Sequence, residues 1–320
     1  MGNFTFQTKR SIGDLVNDTF TLIRENTDTL GRALLMIALV PFVASSVFMT
    51  GVSGDTLRSV LSPENSQKPE IILQKYAELL SSSYLWTGVV LSIVGYFLLY
   101  AVTLTWLRLK KNNEPHDVSA IWRGITGNLT DLLTSIVGGG LLFMVIFFLL
   151  LMAFTLLAGV IATFGSVLVA LLSCLFMVVL IPTIFFFAGL FQLFLAVRQE
   201  ENTTLIHGIT RSLQLSKGRY FQLLGFAIVL YLILFILSLL FSIPGQIVIF
   251  SAGLSVSEMG MLWKILFFIA NIIANIGSLA YVMFIIGFYL YYFNLAEEKE
   301  NPGLSSRLDA MFETKDPDVL

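Results

Sequence analysis

Residues 132–197 read LLTSIVGGGLLFMVIFFLLLMAFTLLAGVIATFGSVLVALLSCLFMVVLIPTIFFFAGLFQLFLAV and contain no Asp, Glu, Lys or Arg. The hydrocarbon core of a bilayer is about 30 Å thick, and a helix crosses it with about 20 apolar residues. The run is therefore too long for one crossing. It predicts two transmembrane helices joined by a tight turn at residues 159–165, and it places the whole chain among membrane proteins.

Four more apolar runs, each long enough for one crossing, flank this stretch. Two precede it, at residues 30–49 and 84–106, and two follow it, at residues 221–243 and 265–293. Pro244 and Gly245 directly follow the fifth run, where they are expected to end the helix. The sequence thus predicts an all-α, polytopic membrane protein with six transmembrane helices.

The composition agrees with this fold class. Hydrophobic residues make up 56% of the chain and charged residues 12%, against about 25% charged residues in soluble domains. The net charge of −2 gives no reason to expect nucleic acid as a partner. A single cysteine excludes a disulfide within the chain and an all-thiolate metal site. We therefore expect no metal and no cofactor.

The basic residues predict the orientation of the bundle. Fourteen of the 19 Lys and Arg residues fall in the two termini and in the loops on the same side of the membrane, and Arg32, at the border of the first run, makes fifteen. Cytoplasmic loops carry such an excess, so both termini are expected in the cytoplasm and the protein in the cell membrane. The predicted parts are a cytoplasmic N-terminal segment (1–29), a six-helix membrane domain (30–295) and an acidic cytoplasmic tail (296–320).

A short amphipathic helix is predicted before the first, third and fifth crossings, lying in the cytoplasmic interface. Ser11 and Asp14 have the spacing of a capping box at the start of the first helix. Asp117 signals the start of the second. Asn202 or Thr203 is expected to cap the third, whose apolar stripe is the weakest.

The three segments can be aligned on one another at offsets of 102 and 91 residues. A unit of one interfacial helix and one transmembrane hairpin, used three times, would explain this pattern. The alternative is that any polytopic protein carries amphipathic residues beside its crossings. The aligned positions are Phe20, Trp122 and Leu213, then Asn26, Asn128 and Arg219, and then Leu30, Leu132 and Leu223.

Two of these segments also carry a resemblance to a known family. Residues 209–221, ITRSLQLSKGRYF, resemble the Arg-Ser-x-x-Leu-x-Lys-Gly-Arg segment of the membrane domain attached to some glycerophosphoryl diester phosphodiesterases. Related stand-alone six-helix bacterial membrane proteins of unknown function share this segment. Residues 12–20, IGDLVNDTF, are similar to the start of the same domain, so the resemblance covers residues 5–295.

The resemblance implies a membrane domain without phosphodiesterase activity. A catalytic barrel needs about 250 residues, and only a short tail follows the last apolar run in this sequence. The apolar runs contain no charged residue near a helix centre, where transport and catalytic sites usually place one. We therefore expect no catalytic residue and no enzymatic activity.

The candidate polar face within the membrane is formed by Asn271, Asn275 and Ser278. The two asparagines lie four residues apart and hence on one face of the sixth helix, next to a ridge of small residues that includes Ser278. Hydrogen bonding between helices is one interpretation. The other is that the face provides the polar lining of a pore or substrate cavity.

Pro182 is the candidate kink of the fourth helix. A proline inside a helix disrupts the bond to the carbonyl four residues earlier, here that of Val178. A buried carbonyl in a membrane needs a donor, and we hypothesise that Asn275 or Thr183 supplies it.

The functional prediction has a leading form and two alternatives. The leading form is a non-enzymatic scaffold or accessory component of envelope or lipid-related processes, with membrane lipids and a membrane or cytoplasmic protein as partners. The first alternative is a passive or secondary transporter, or a channel, for a small uncharged or lipid-like molecule. A membrane-embedded enzyme is third.

Overall fold

The computed structural model describes residues 5–61, 69–162, 166–254 and 260–300, and its regular elements are all helices. The α-helices are α1 (Ile12–Glu25), α2 (Leu39–Leu61), α3 (Pro69–Ser81), α4 (Ser83–Lys111), α5 (Val118–Gly127), α6 (Leu129–Leu133), α7 (Gly139–Ala162), α8 (Ser166–Glu201), α9 (Leu205–Ser216), α10 (Tyr220–Leu254), α11 (Gly260–Ser278) and α12 (Val282–Glu300). Short π-helical segments occur at Thr27–Gly31, Leu34–Ala38 and Thr134–Gly138, and a 3-10 helix at Leu279–Tyr281.

Six helical stretches of the described chain are long and apolar enough to cross a membrane. Their number and order agree with the sequence prediction, and they indicate an integral, multi-pass membrane protein. The acidic tail after residue 300 lies outside the described residues. The six stretches are Thr27–Thr50, Ser83–Lys111, Leu129–Met152, Val178–Glu201, Tyr220–Val248 and Lys264–Glu300.

Two predicted helix ends were wrong. The fifth crossing does not stop at Pro244, because α10 continues through it to Leu254. The predicted turn at residues 159–165 begins too early, because α7 extends to Ala162. Residues 163–165, between α7 and α8, lie outside the described residues. In both places the flanking residues are apolar and favour continued helix, although the local glycine and proline signals alone predict its end.

The three short helices α1, α5 and α9 each bury one side against the bundle. Ser11 and Asp14 form the predicted capping box of α1, and Asp117 caps α5 by accepting the Ala120 N–H at 3.2 Å. The predicted cap of α9 was wrong. Its N-cap residue is Thr204, and the Thr204 side chain makes no capping hydrogen bond.

The same backbone pattern links each short helix to the crossing that follows. The N–H groups of Asn26, Asn128 and Arg219 each donate to the carbonyl three residues earlier. Their own carbonyls then accept the N–H four residues later, which belongs to Leu30, Leu132 and Leu223 respectively. These are two of the three sets of positions that the sequence alignment paired.

We call the end of the bundle that holds α1, α5 and α9 the basal end, and the opposite end the distal end. Near the basal end, α4, α8 and α12 contact one another and form the centre of the fold. Residues 99–107, 192–197 and 282–296 are continuously buried there. A helix buried on all sides lies in the interior of a bundle, so the even-numbered crossings form the core and the odd-numbered crossings surround it.

Gly139 allows the third crossing to approach this core closely. A Cβ atom at this position would lie 2.4 Å from Cε1 of Phe194 on α8. The π-helical segment Thr134–Gly138 ends directly before Gly139, and α7 begins there.

Candidate functional site

The two predicted membrane asparagines lie between α11 and α2. The side-chain amide of Asn275 donates to the carbonyl oxygen of Phe42 at 3.1 Å and to Oγ of Ser46 at 2.6 Å. Asn271 donates to the carbonyl of Phe267 in its own helix at 2.9 Å, and more weakly to Oγ1 of Thr50 at 3.5 Å. The asparagine face therefore packs against the first crossing.

Pro182 lies inside α8, which continues past it to Glu201. The hypothesis that Asn275 or Thr183 satisfies the Val178 carbonyl was wrong. Thr183 donates its hydroxyl to the carbonyl of Val179 at 2.7 Å, and Asn275 makes its contacts on α2. The hydroxyl of Thr183 follows the usual bonding of threonine to the carbonyl four residues earlier.

Ser278, the third predicted residue, borders a cavity where the last crossing is interrupted. The α-helical pattern stops at Ser278, passes through the 3-10 segment Leu279–Tyr281 and resumes at Val282. The cavity has a volume of about 210 Å³ and lies between α4, α10 and this interruption. Five of its eight lining residues carry a hydroxyl group: Tyr96, Tyr231, Ser238, Ser278 and Tyr281.

A buried polar pair lies where the basal core meets this cavity. Gln192 of α8 donates its amide to the hydroxyl of Tyr100, and both side chains are buried. The rings of Tyr100 and Tyr281 lie 5.9 Å apart between centroids. Tyr281 thus contacts the cavity on one side and the buried tyrosine–glutamine pair on the other.

Charged side chains join the helices at the basal end. Glu200 of α8 has only 8% of its side chain exposed; it pairs with Lys111 of α4 and accepts a hydrogen bond from Tyr289 of α12. The neighbouring Glu201 binds Arg211 of α9 at 3.1 Å. Four helices are therefore cross-linked by two adjacent carboxylates.

The sequence analysis missed these two glutamates, because they appeared to belong to a polar loop. Two features could have identified them. They follow an uncharged run directly, and the last crossing carries tyrosines at the same depth near its end, including Tyr289 and Tyr292, which donates to Glu201 at 3.1 Å. Carboxylates at the membrane boundary are stabilised by such donors.

A polar pocket of about 110 Å³ lies beside this cross-linked region, between α4, α8 and the start of the third crossing. Two arginines, Arg108 and Arg198, border it. Nε of Arg198 donates to Oγ of Ser135 at 3.0 Å, and its Nη1 donates to the carbonyl of Thr203. The pocket also contains Asn128 and Asp131.

An apolar groove of about 750 Å³ opens on the outer surface of the bundle. It is lined by the first crossing, by α4 and by Val118, Ser119 and Trp122 of α5. Trp122 is 48% exposed and Val40, at the middle of the groove, is 60% exposed. Because these residues belong to α5 and to two helices that are long and apolar enough to cross a membrane, we call this surface the lipid-facing groove.

Comparison with known proteins gives no relatives. No family model matches the sequence, and no curated protein or solved structure matches the chain. The resemblance to the phosphodiesterase-associated membrane domain therefore stays a prediction. Within the described residues, no group of three or more His, Cys, Asp and Glu side chains is arranged to hold a metal ion.

Proposed function

We propose that the protein is a non-enzymatic component of the membrane that scaffolds or assists a partner in envelope or lipid-related processes. One observation carries this proposal: Asn275 uses its amide to bind α2, with two hydrogen bonds at 3.1 and 2.6 Å. A polar lining for a solute path needs free amides, whereas a scaffold needs a closed bundle. The lipid-facing groove and the family resemblance support a process that involves membrane lipids.

Cysteine labelling tests whether the bundle is closed. Asn271 and Asn275 are each replaced by cysteine in a Cys174→Ser background, with Ser81→Cys on the exposed end of α3 as the accessible control. A water-soluble thiol reagent should label Ser81→Cys and leave the other two unlabelled. Labelling at both asparagine positions would contradict the closed bundle.

The groove gives a second test of the same proposal. Ala44 lines the groove, so Ala44→Trp should fill it and reduce the phospholipid that stays bound during purification in detergent. Val145→Trp, on the exposed surface of α7, is the control and should leave bound lipid unchanged. Equal lipid content in all three proteins would remove the groove from the proposal.

The cavity beside Tyr281 favours a second candidate, a passive or secondary transporter for a small uncharged or lipid-like molecule. Interrupted helices form substrate sites in several transporter folds, and this cavity borders the interruption of the last crossing and is lined by five hydroxyl-bearing residues. Uptake of uncharged solutes into proteoliposomes tests it. Uptake that Ser278→Leu abolishes would favour transport, and a rate equal to that of empty liposomes would favour the scaffold.

We further propose that the basal end faces the cytoplasm of a bacterial cell. Support comes from the excess of Lys and Arg in the termini and in the loops on that side. The repeat of an interfacial helix and a hairpin is part of the same proposal, supported by the matching hydrogen bonds at Asn26, Asn128 and Arg219. A reporter fused after Leu320 should be active in the cytosol; periplasmic activity would contradict the orientation.

A further inference from the structure

The polar pocket beside Arg108 and Arg198 has more positive than negative charge in its lining. Asp131 is the one carboxylate among its described lining residues, and it is exposed to solvent. Asp131 makes no hydrogen bond or ion pair to another described side chain. The lining therefore carries two guanidinium groups and one carboxylate.

Arg108 has unused hydrogen-bonding capacity. Within the described chain, its guanidinium makes no hydrogen bond and no ion pair, although the side chain is partly buried. An arginine has five N–H donors in a planar fork, which matches the oxygens of a carboxylate or phosphate. Because no described group accepts from these donors, they are available to water or to an external anion.

A second unused donor lies in the same pocket. Oγ1 of Thr203 is buried and has no hydrogen-bond partner. Arg198 is fixed by Ser135 on one side and by the Thr203 backbone on the other. Asn128 uses one amide hydrogen on the carbonyl of Gly124 at 2.9 Å and retains another. Donors from three elements of the chain therefore converge on one small space.

We propose that this pocket binds a phosphate group between Arg108 and Arg198. A tetrahedral anion with several acceptor oxygens suits two guanidinium forks and the hydroxyl of Thr203. The volume of about 110 Å³ accommodates one such group. The phosphate comes either from a phospholipid headgroup or from a soluble phosphate, and the pocket would bind it whether the protein is a scaffold or a transporter.

Thermal unfolding of the full chain tests the proposal. The protein is held in dodecyl maltoside micelles, which contain no phosphate, and titrated in two arms, with phosphatidylglycerol in the micelles or with inorganic phosphate in solution. Chloride at equal ionic strength corrects for screening. Saturating ligand should raise Tm by about 3 °C or more. A response to phosphatidylglycerol alone identifies a lipid headgroup, and a response to inorganic phosphate alone identifies a soluble ligand.

Four variants make the result specific. Arg108→Gln should weaken binding about tenfold, because it removes one charged fork, and Arg108→Lys should restore part of it. Asp131→Asn should strengthen binding by removing the opposing charge. Arg24→Gln, an exposed basal arginine outside the pocket, should bind like the unmodified protein.

Two outcomes would overturn the site. The first is no Tm response in either arm. The second is equal weakening by Arg108→Gln and Arg24→Gln, since that would mean that phosphate binds to basic residues generally. Arg108 makes no hydrogen bond within the described protein, so Arg108→Gln should fold, and its Tm without ligand checks this directly.

Discussion

The basal and distal halves of the bundle use the same six crossings but are held together differently. In the basal half, α4, α8 and α12 are buried on all sides and their ends are cross-linked by Glu200 and Glu201. In the distal half, large apolar side chains such as Val90, Leu156 and Leu240 are more than half exposed. Apolar groups facing lipid need no protein partner, whereas charges and hydroxyls at the membrane boundary do.

Contacts in the distal half rely on small residues. Oγ of Ser45 donates to the carbonyl of Gly88 at 2.8 Å and lies 2.7 Å from Oγ of Ser92, joining α2 to α4. A Cβ atom on Gly277 would lie 2.5 Å from Cβ of Phe241, so α10 and α11 also approach closely. Close backbone approach and a few hydrogen bonds thus replace the aromatic and ionic packing of the basal half.

The largest difference between the halves is expected for tryptophan. Trp106 is fully buried in the basal core and Trp86 is 56% exposed near the distal end. Trp106→Ala should lower the free energy of unfolding by roughly 3–5 kcal/mol, because it leaves a cavity. Trp86→Ala should cost less than about 1 kcal/mol. Unfolding in mixed detergent micelles measures both, and equal costs would remove the distinction between the halves.

The carboxylate cross-link should have the next largest effect. Glu200→Gln leaves Lys111 without its ion-pair partner in a mostly buried position. We expect a loss of about 2 kcal/mol in unfolding free energy, below the value for a fully buried pair because Lys111 is partly exposed. Glu114→Gln, an exposed basal carboxylate, is the matched control. If both variants lost the same stability, the pair would not hold the helices together.

The asparagine face of the distal half should contribute less. Asn275→Ala removes two hydrogen bonds to α2 and should cost about 1 kcal/mol, in the range measured for membrane helices. Asn271→Ala should cost about half as much, because its shorter bond stays within α11. The same micelle assay compares them. A larger loss for Asn271 would show that its contact with Thr50 is the important one.

The smallest effect concerns acid sensitivity at the basal surface. Hydrogen bonds from the Ser119 hydroxyl and then from the Ala120 N–H lower the pKa of Asp117. Its stabilisation of α5 is therefore present above the unfolded pKa and is lost as pH falls through the lower, folded pKa. Hydrogen exchange of α5 amides should accelerate as the pH is lowered from about 5 to about 2, once intrinsic rates are corrected. Asp117→Asn should remove this pH dependence and keep the cap.

The number of crossings could be predicted from the sequence, because an uncharged apolar run of about 20 residues is most stable as a helix across the hydrocarbon core of a bilayer. The caps at Ser11 and Asp117 were also predictable, since they depend on residues within one turn. The end of α10 was not, because Pro244 weakens one bond but a surrounding apolar environment favours continued helix.

The candidate site was predictable only in part. The spacing of Asn271 and Asn275 correctly placed them on one face, but it could not identify α2 as the partner of that face. Ser278 was grouped with them, although the interruption at Leu279–Tyr281 turns it toward a cavity. The polar pocket beside Arg108 and Arg198 could not be predicted, because the two arginines are far apart in sequence and only the packing of α4 on α8 brings them together.

The interruption of the last crossing divides this span into two helices that pack against different neighbours. Its distal segment, α11, is hydrogen-bonded to α2 and packed on α10, whereas its basal segment, α12, packs with α4 and α8 at the centre of the fold. An uninterrupted helix would tilt as one body across both leaflets. An interrupted helix allows the part in each leaflet to tilt separately. Thinning or lateral pressure in one leaflet should therefore bend the span at Tyr281 and leave the cross-linked carboxylates in place.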